Sequence, residues 1–195
     1  TINYEQRSAG DELMFAEPVF GGQQQNTQVN GDKAWNVGPN GPVAQLAAAE
    51  DRQLHIWLTP HGFLRGAAAA SDATLAEGEG PSVISFTALG KYKITGTIDA
   101  TNHVTKVATV VPNPVLGDTE LVATYADYRD FNGIQFPAKI DIAQGGFPLW
   151  ELAIADVTPN AAFDLPVPEA VQAATVPPVQ VTTTMLAEGV WHLTG

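Results

Sequence analysis

The sequence predicts an α+β domain that is mostly β, with an antiparallel sheet covered by short helices. Three observations predict it. The turn signals Asn30-Gly31, Asn132-Gly133 and Gly145-Gly146 separate runs that alternate apolar and polar residues. The strand-like runs follow one another as a meander, which favours antiparallel pairing with one face buried. One Ala-rich stretch, Val43 to Ala70, interrupts them with helical spacing. The size agrees, since 195 residues is about one domain on a scale of roughly 100–200 residues each. Hydrophobic residues, at 45%, are enough for a sizeable core.

The elements follow in order. The chain opens on strand-like sequence, with Ile2 and Tyr4, and closes on strand-like Val190-Trp191-His192-Leu193. It has neither an initiator Met nor a basic-then-apolar leader, so both ends read as cut, by processing or from a longer polypeptide. Val43, Leu46, Ala47, Leu54, Trp57 and Leu58 fall mostly at i, i+3, i+4, which predicts a helix. Leu54, Ile56 and Leu58 also alternate, as a strand would. Thr59-Pro60 supplies an N-cap and a proline at the first helical position. A second helix therefore runs to about Ala70, with Phe63, Leu64 and Ala67 on one side. Ser71 to Pro81 is rich in Gly, Ala and acidic residues and reads as an exposed loop.

Strands are then expected at Val83–Ala88, Tyr92–Ile98 and Val104–Val111, with a turn at Asp99–Asn102. Asn132-Gly133 between Tyr125–Phe131 and Ile134–Ile142 is the strongest hairpin signal, because Asn-Gly supplies both positive-φ positions of a type I′ turn. Gly145-Gly146 predicts a further hairpin, running to Leu149–Val157. Pro159, Pro166, Pro168, Pro177 and Pro178 fix φ and remove donors, so the segment from Pro159 to Val181 reads as an extended connector. Val179–Leu186 and Val190–Thr194 then read as strands of something new. The boundary falls near Pro177-Pro178, dividing the chain into 1–176 and 177–195.

Composition excludes several functions. Nine Lys+Arg against 21 Asp+Glu give a net charge of −12, without the basic footprint that nucleic acid requires. An anionic membrane surface would repel such a chain, and no apolar run approaches the roughly 20 residues of a membrane span. With no cysteine, disulfides and thiolate metal sites are out. Every basic residue lies at or before Lys139, and residues 140–195 carry six acidic residues and no basic one. That stretch suits a solvated face, or a surface that docks a basic partner or a neighbouring domain.

Chemistry-bearing motifs are scarce. The histidines His55, His61, His103 and His192 share no ligand spacing, whereas zinc needs three or four converging donors. There is no nucleophile elbow, phosphate loop or dinucleotide fingerprint. Gly78-Glu79-Gly80-Pro81 is a loop in which Pro81 argues against a phosphate role. Asp127 and Asp130 lie close in sequence, but spacing alone does not support a glycosidase pair among 21 acidic residues. No catalytic residue is assigned. Trp35, Trp57, Phe63 and Trp150 remain: they suit plain core packing, or an apolar ligand cavity between sheet and helices.

Three segments carry a resemblance. They are Trp57-Leu-Thr-Pro-His-Gly-Phe-Leu64, the hairpin Tyr125-Ala-Asp-Tyr-Arg-Asp-Phe-Asn-Gly-Ile-Gln-Phe-Pro137 with its flanks Asn113–Gly117 and Gly145–Pro148, and the closing Leu186-Ala-Glu-Gly-Val-Trp-His-Leu-Thr-Gly195. Together they resemble the N-terminal region of secreted bacterial metallo-β-lactamase-fold hydrolases, where a domain similar to the lipoprotein carrier LolA precedes the metal domain. The resemblance implies a curved half-barrel sheet covered by short helices, in a periplasmic or secreted protein. It implies a non-catalytic accessory domain, with the segment from about Gln180 leading into the first strand of the hydrolase domain. The family's His-x-His-x-Asp-His motif is absent here, so zinc is expected in that further domain and no ligand position carries over. The alternative is a carrier or sensor for a lipid or other apolar ligand. An isolated entry strand at Val190–Leu193 would leave an unpaired apolar edge, and such edges pair with other chains. A homodimer through the C-terminal segment is therefore expected.

Overall fold

The structure is a computed structural model that describes residues 3–8, 25–76, 80–160, 162, 164–176 and 180–194. It is mostly β with a few short helices, and its antiparallel sheets do not close into a barrel. A first sheet is a meander of β1 (Asn3–Ser8), β2 (Gln25–Asn30), β3 (Lys33–Gly38) and β4 (Gly41–Ala44). A 3₁₀ turn (Leu46–Ala48) leads into helices α1 (Ala49–Trp57) and α2 (Pro60–Ala69). The second sheet has seven strands: β5 (Thr74–Ala76), β6 (Ser82–Ala88), β7 (Tyr92–Ile98), β8 (Val104–Asn113), β9 (Gly117–Phe131), β10 (Ile134–Gln144) and β11 (Phe147–Ala153). Each of its strands pairs with its sequence neighbours. A helical turn, α3 (Glu169–Gln172), and a separate hairpin of β12 (Thr182–Ala187) and β13 (Val190–Thr194) complete the chain.

Alternation sets the inner face of the large sheet. Tyr92 and Ile94 in β7, Leu121, Ala123 and Tyr125 in β9, and Ile140 and Ile142 in β10 are buried, while the adjacent Lys93, Glu120 and Lys139 are exposed. The helices cover this face. Phe63 of α2 is fully buried against Gly96 of β7, where a Cβ would lie 2.2 Å from the ring. Gly66 of α2 reciprocates, since a Cβ there would lie 2.6 Å from the Phe86 ring. Each glycine therefore makes room for a phenylalanine, and α2 sits close to the sheet. The predicted cap is present: Thr59 Oγ1 accepts from Gly62 N at 3.0 Å, with Pro60 at the first position.

Helix α1 lies between the two sheets. Leu54 and Leu58, each 1% exposed, belong to the core of the large sheet, whereas Ala49 and Ile56 pack with Val29 and Ala34 of the small one. Arg52 ties the helix to the small sheet, donating to the carbonyls of Gln28 (2.9 Å) and Trp35 (2.8 Å) and to Asn36 Oδ1 (2.6 Å). Tyr125 donates its hydroxyl to the carbonyl of Leu58 from the opposite side. Residues 54–57 are thus helical, with Leu58 capping the helix end, and their apparent alternation arises because both sides of the helix are apolar.

Several expectations are corrected. Val43 is not helical: Gly41–Ala44 pairs with β3 as an edge strand, where Pro42 withdraws no needed donor. The first turn occupies Gly31-Asp32, since Asn30 still pairs with Lys33. The presumed loop after α2 contains the short edge strand β5, while residues 77–79 lie outside the described residues. Strand β11 stops at Ala153, short of Val157. The proline-rich segment is not only an extended connector: Leu165 and Val171 are buried with Trp35, and Asn30 Nδ2 donates to Leu165 O at 2.8 Å. The boundary dipeptide Pro177-Pro178 lies outside the described residues. Strand β13 is not isolated, because β12 pairs with it from Thr182↔Thr194 to Ala187↔Val190. By contrast, Asn132-Gly133 and Gly145-Gly146 form the expected turns, all four residues having positive φ.

Candidate functional site

The meander brings three hairpin turns to one end of the large sheet: Leu89–Lys91, Pro114–Leu116 and Gly145-Gly146. The start of α1 faces the same end, and a cleft of about 470 Å³ opens between them. One wall is Glu50, Asp51, Leu54 and His55 of α1. The other includes Tyr92, Val111, Leu121 and Trp150. Glu50 and Asp51 suit the first turn of a helix, where the dipole favours negative charge. The hairpin tips that bring Pro114 and Leu149 to the cleft also hold Val115, Leu116 and Phe147, all exposed.

Polar groups in the cleft are ordered. Glu50 Oε1 accepts from Tyr92 Oη at 2.6 Å and pairs with Lys91 Nζ at 2.8 Å. The Lys91 bond, and then the Tyr92 bond, hold the Glu50 carboxyl below its ordinary range. Burial, reinforced by Glu50, raises Tyr92. The His55 ring stacks on Trp150, with centroids 4.7 Å apart. Its Nδ1 lies 3.0 Å from the Asp51 carbonyl oxygen, and its buried Nε2 has no partner. Gln144 Nε2 donates to Thr119 Oγ1 at 3.0 Å.

The four aromatic residues singled out by sequence do not converge. Trp150 lines the cleft. Phe63 fills the core under α2, and Trp57 packs at its margin, edge-on to Phe86. Trp35 lies in a different cluster, with Leu165 and Val171. The histidines also stay apart: His61 stacks on Phe136, His103 on Tyr128, and His192 is exposed on β13. Among the described residues, no group of three or more His, Asp or Glu could hold a metal ion. Asp130 is occupied in the hairpin turn, accepting from Gly133 N at 3.0 Å, and Asp127 is an exposed residue at positive φ. Among the described residues, no helix is long and apolar enough to cross a membrane.

Sequence reading missed the cleft as a unit. His55 and Trp150 are 95 positions apart, and no local motif joins them to Glu50 and Tyr92. No family model, curated protein or solved structure matches the chain.

Proposed function

We propose that residues 1–176 serve as a non-catalytic accessory domain to a metallo-β-lactamase-fold hydrolase domain, aiding substrate binding or assembly in a periplasmic or secreted protein. The hairpin 182–194 supports this reading best. Met185 faces Trp191 across it and Thr183 faces Leu193, so these four share one face. Met185, Trp191 and Leu193 are 59%, 58% and 63% exposed. A two-stranded hairpin alone is marginal in water and gains stability when another layer covers its apolar face. The motif Gly189-Val-Trp-His-Leu-Thr-Gly195 names the layer in this reading: the hydrolase domain that these strands begin.

Zinc belongs to that domain. The described residues do not fit it, since His55, His61 and His103 lie on separate aromatic rings and His192 is exposed on β13. A second reading, a carrier or sensor for a lipid or other apolar ligand, is favoured by the cleft and the exposed Val115, Leu116 and Phe147 beside it.

The test is to capture the native polypeptide from its source with an antibody against residues 1–195. An intact mass larger than this chain, with stoichiometric zinc, is expected. A zinc-free polypeptide would overturn the proposal.

A further inference from the structure

The cleft at the start of α1 has two chemically different walls. The α1 wall presents acceptors: the carboxylates of Glu50 and Asp51 and, in the neutral ring, His55 Nε2 once Nδ1–H donates to the Asp51 carbonyl. That Nε2 is buried and unpartnered, on a side chain 11% exposed. A buried acceptor without a donor is costly, and a ligand N–H or O–H relieves that cost once the His55–Trp150 stack shifts to admit it. The sheet wall is apolar, formed by Val111, Leu121, Leu149 and Trp150. The volume of about 470 Å³ falls in the range of small-molecule sites, roughly 300–1,000 Å³.

Charge decides which donor fits. Lys91 is the cation nearest Glu50 and is already engaged with it at 2.8 Å. Asp51 has no Lys or Arg within ion-pair distance among the described residues, and its side chain is 70% exposed. The net charge of −12 raises the local concentration of cations around the whole molecule. An anionic head would meet two carboxylates, whereas an ammonium finds acceptors on one side and its hydrocarbon finds Leu121 and Trp150 on the other.

We propose that this cleft binds a small apolar amine, a primary ammonium on an alkyl or aryl body. The ammonium sits against Asp51 and His55, and the body lies along Val111, Leu121 and Trp150. The site is independent of the accessory-domain reading, because it requires no residue of the hairpin and no metal.

Three dyes with one fluorophore test it on the full chain at low salt: dansylcadaverine (cationic), dansylamide (neutral) and dansylglycine (anionic). Dansylcadaverine should bind at least tenfold more tightly than dansylglycine, with dansylamide between them. Asp51→Asn should weaken dansylcadaverine threefold or more and leave dansylamide unchanged. Glu188→Gln, the same charge change on the remote hairpin, should move neither. Trp150→Ala should weaken all three dyes. Equal affinity for the three dyes, no binding, or equal effects of Asp51→Asn and Glu188→Gln would each overturn the proposal.

Discussion

Phe63 and Trp191 are both large aromatic side chains on amphipathic elements, yet one is fully buried and the other is 58% exposed. Phe63 sits where α2 meets a seven-stranded sheet, and its ring occupies the space that Gly96 leaves open. Trp191 sits on a two-stranded sheet, and every described residue of that hairpin is exposed. Each region carries an apolar face, at helical spacing in α2 and at strand alternation in β13. What differs is the layer on top, which no local alternation specifies. An amphipathic strand therefore states that a face should be covered without stating by what.

Truncating each ring measures the contrast. Phe63→Ala should cost about 3–5 kcal/mol, the range for removing a buried phenylalanine. Trp191→Ala should stay within about 0.5 kcal/mol in the isolated chain, as for an exposed surface change. Urea unfolding followed by circular dichroism reads both. Equal costs would mean that the hairpin folds onto the core.

That asymmetry explains how much of the molecule is legible in the sequence. Where a turn is encoded by backbone conformation, reading succeeds: Asn132-Gly133 takes the φ values of 54° and 86° that Asn and Gly tolerate, and it sets the register of β9 against β10. Thr59-Pro60 marks the start of α2 for a similarly local reason. Where two layers compete for one element, reading falters. Ile56 faces the small sheet while Leu54 and Leu58 face the large one, so α1 has no single apolar stripe. Val171 looks like connector sequence but is fully buried beside Trp35, a partner 136 positions away. The cleft is assembled by the same long-range packing: α1 supplies His55, and the last strand of the large sheet supplies Trp150.

A smaller effect is expected at the junction of α1 and the large sheet. Tyr125→Phe removes the hydroxyl that bonds the Leu58 carbonyl and leaves a buried acceptor without its partner, which costs about 1–3 kcal/mol. The residue is deeply buried, and burial keeps its phenol protonated far into the alkaline range. The loss in urea stability should therefore be the same at pH 7 and pH 9. A difference between the two would mean that the hydroxyl ionises and is open to solvent.

The smallest effect should come from Glu50, which bonds α1 to the edge of the cleft. Its folded pKa is lowered by the Lys91 bond and then the Tyr92 bond, so the unfolded chain binds its proton more readily. The carboxylate then stabilises the fold above the unfolded value of 4.5, and that contribution is lost as pH falls through the lower folded value. The side chain is 48% exposed, which screens the interaction to a few tenths of a kcal/mol. Glu50→Gln should lower stability by that amount at pH 7 and by less at pH 3. A cost that is constant with pH would show that packing, not charge, holds Glu50 to Lys91 and Tyr92. Deleting residues 182–195 should leave this pH response intact, because no hairpin residue bonds Glu50. If the response disappears with the hairpin, the two regions are coupled in solution and the contrast between Phe63 and Trp191 no longer holds.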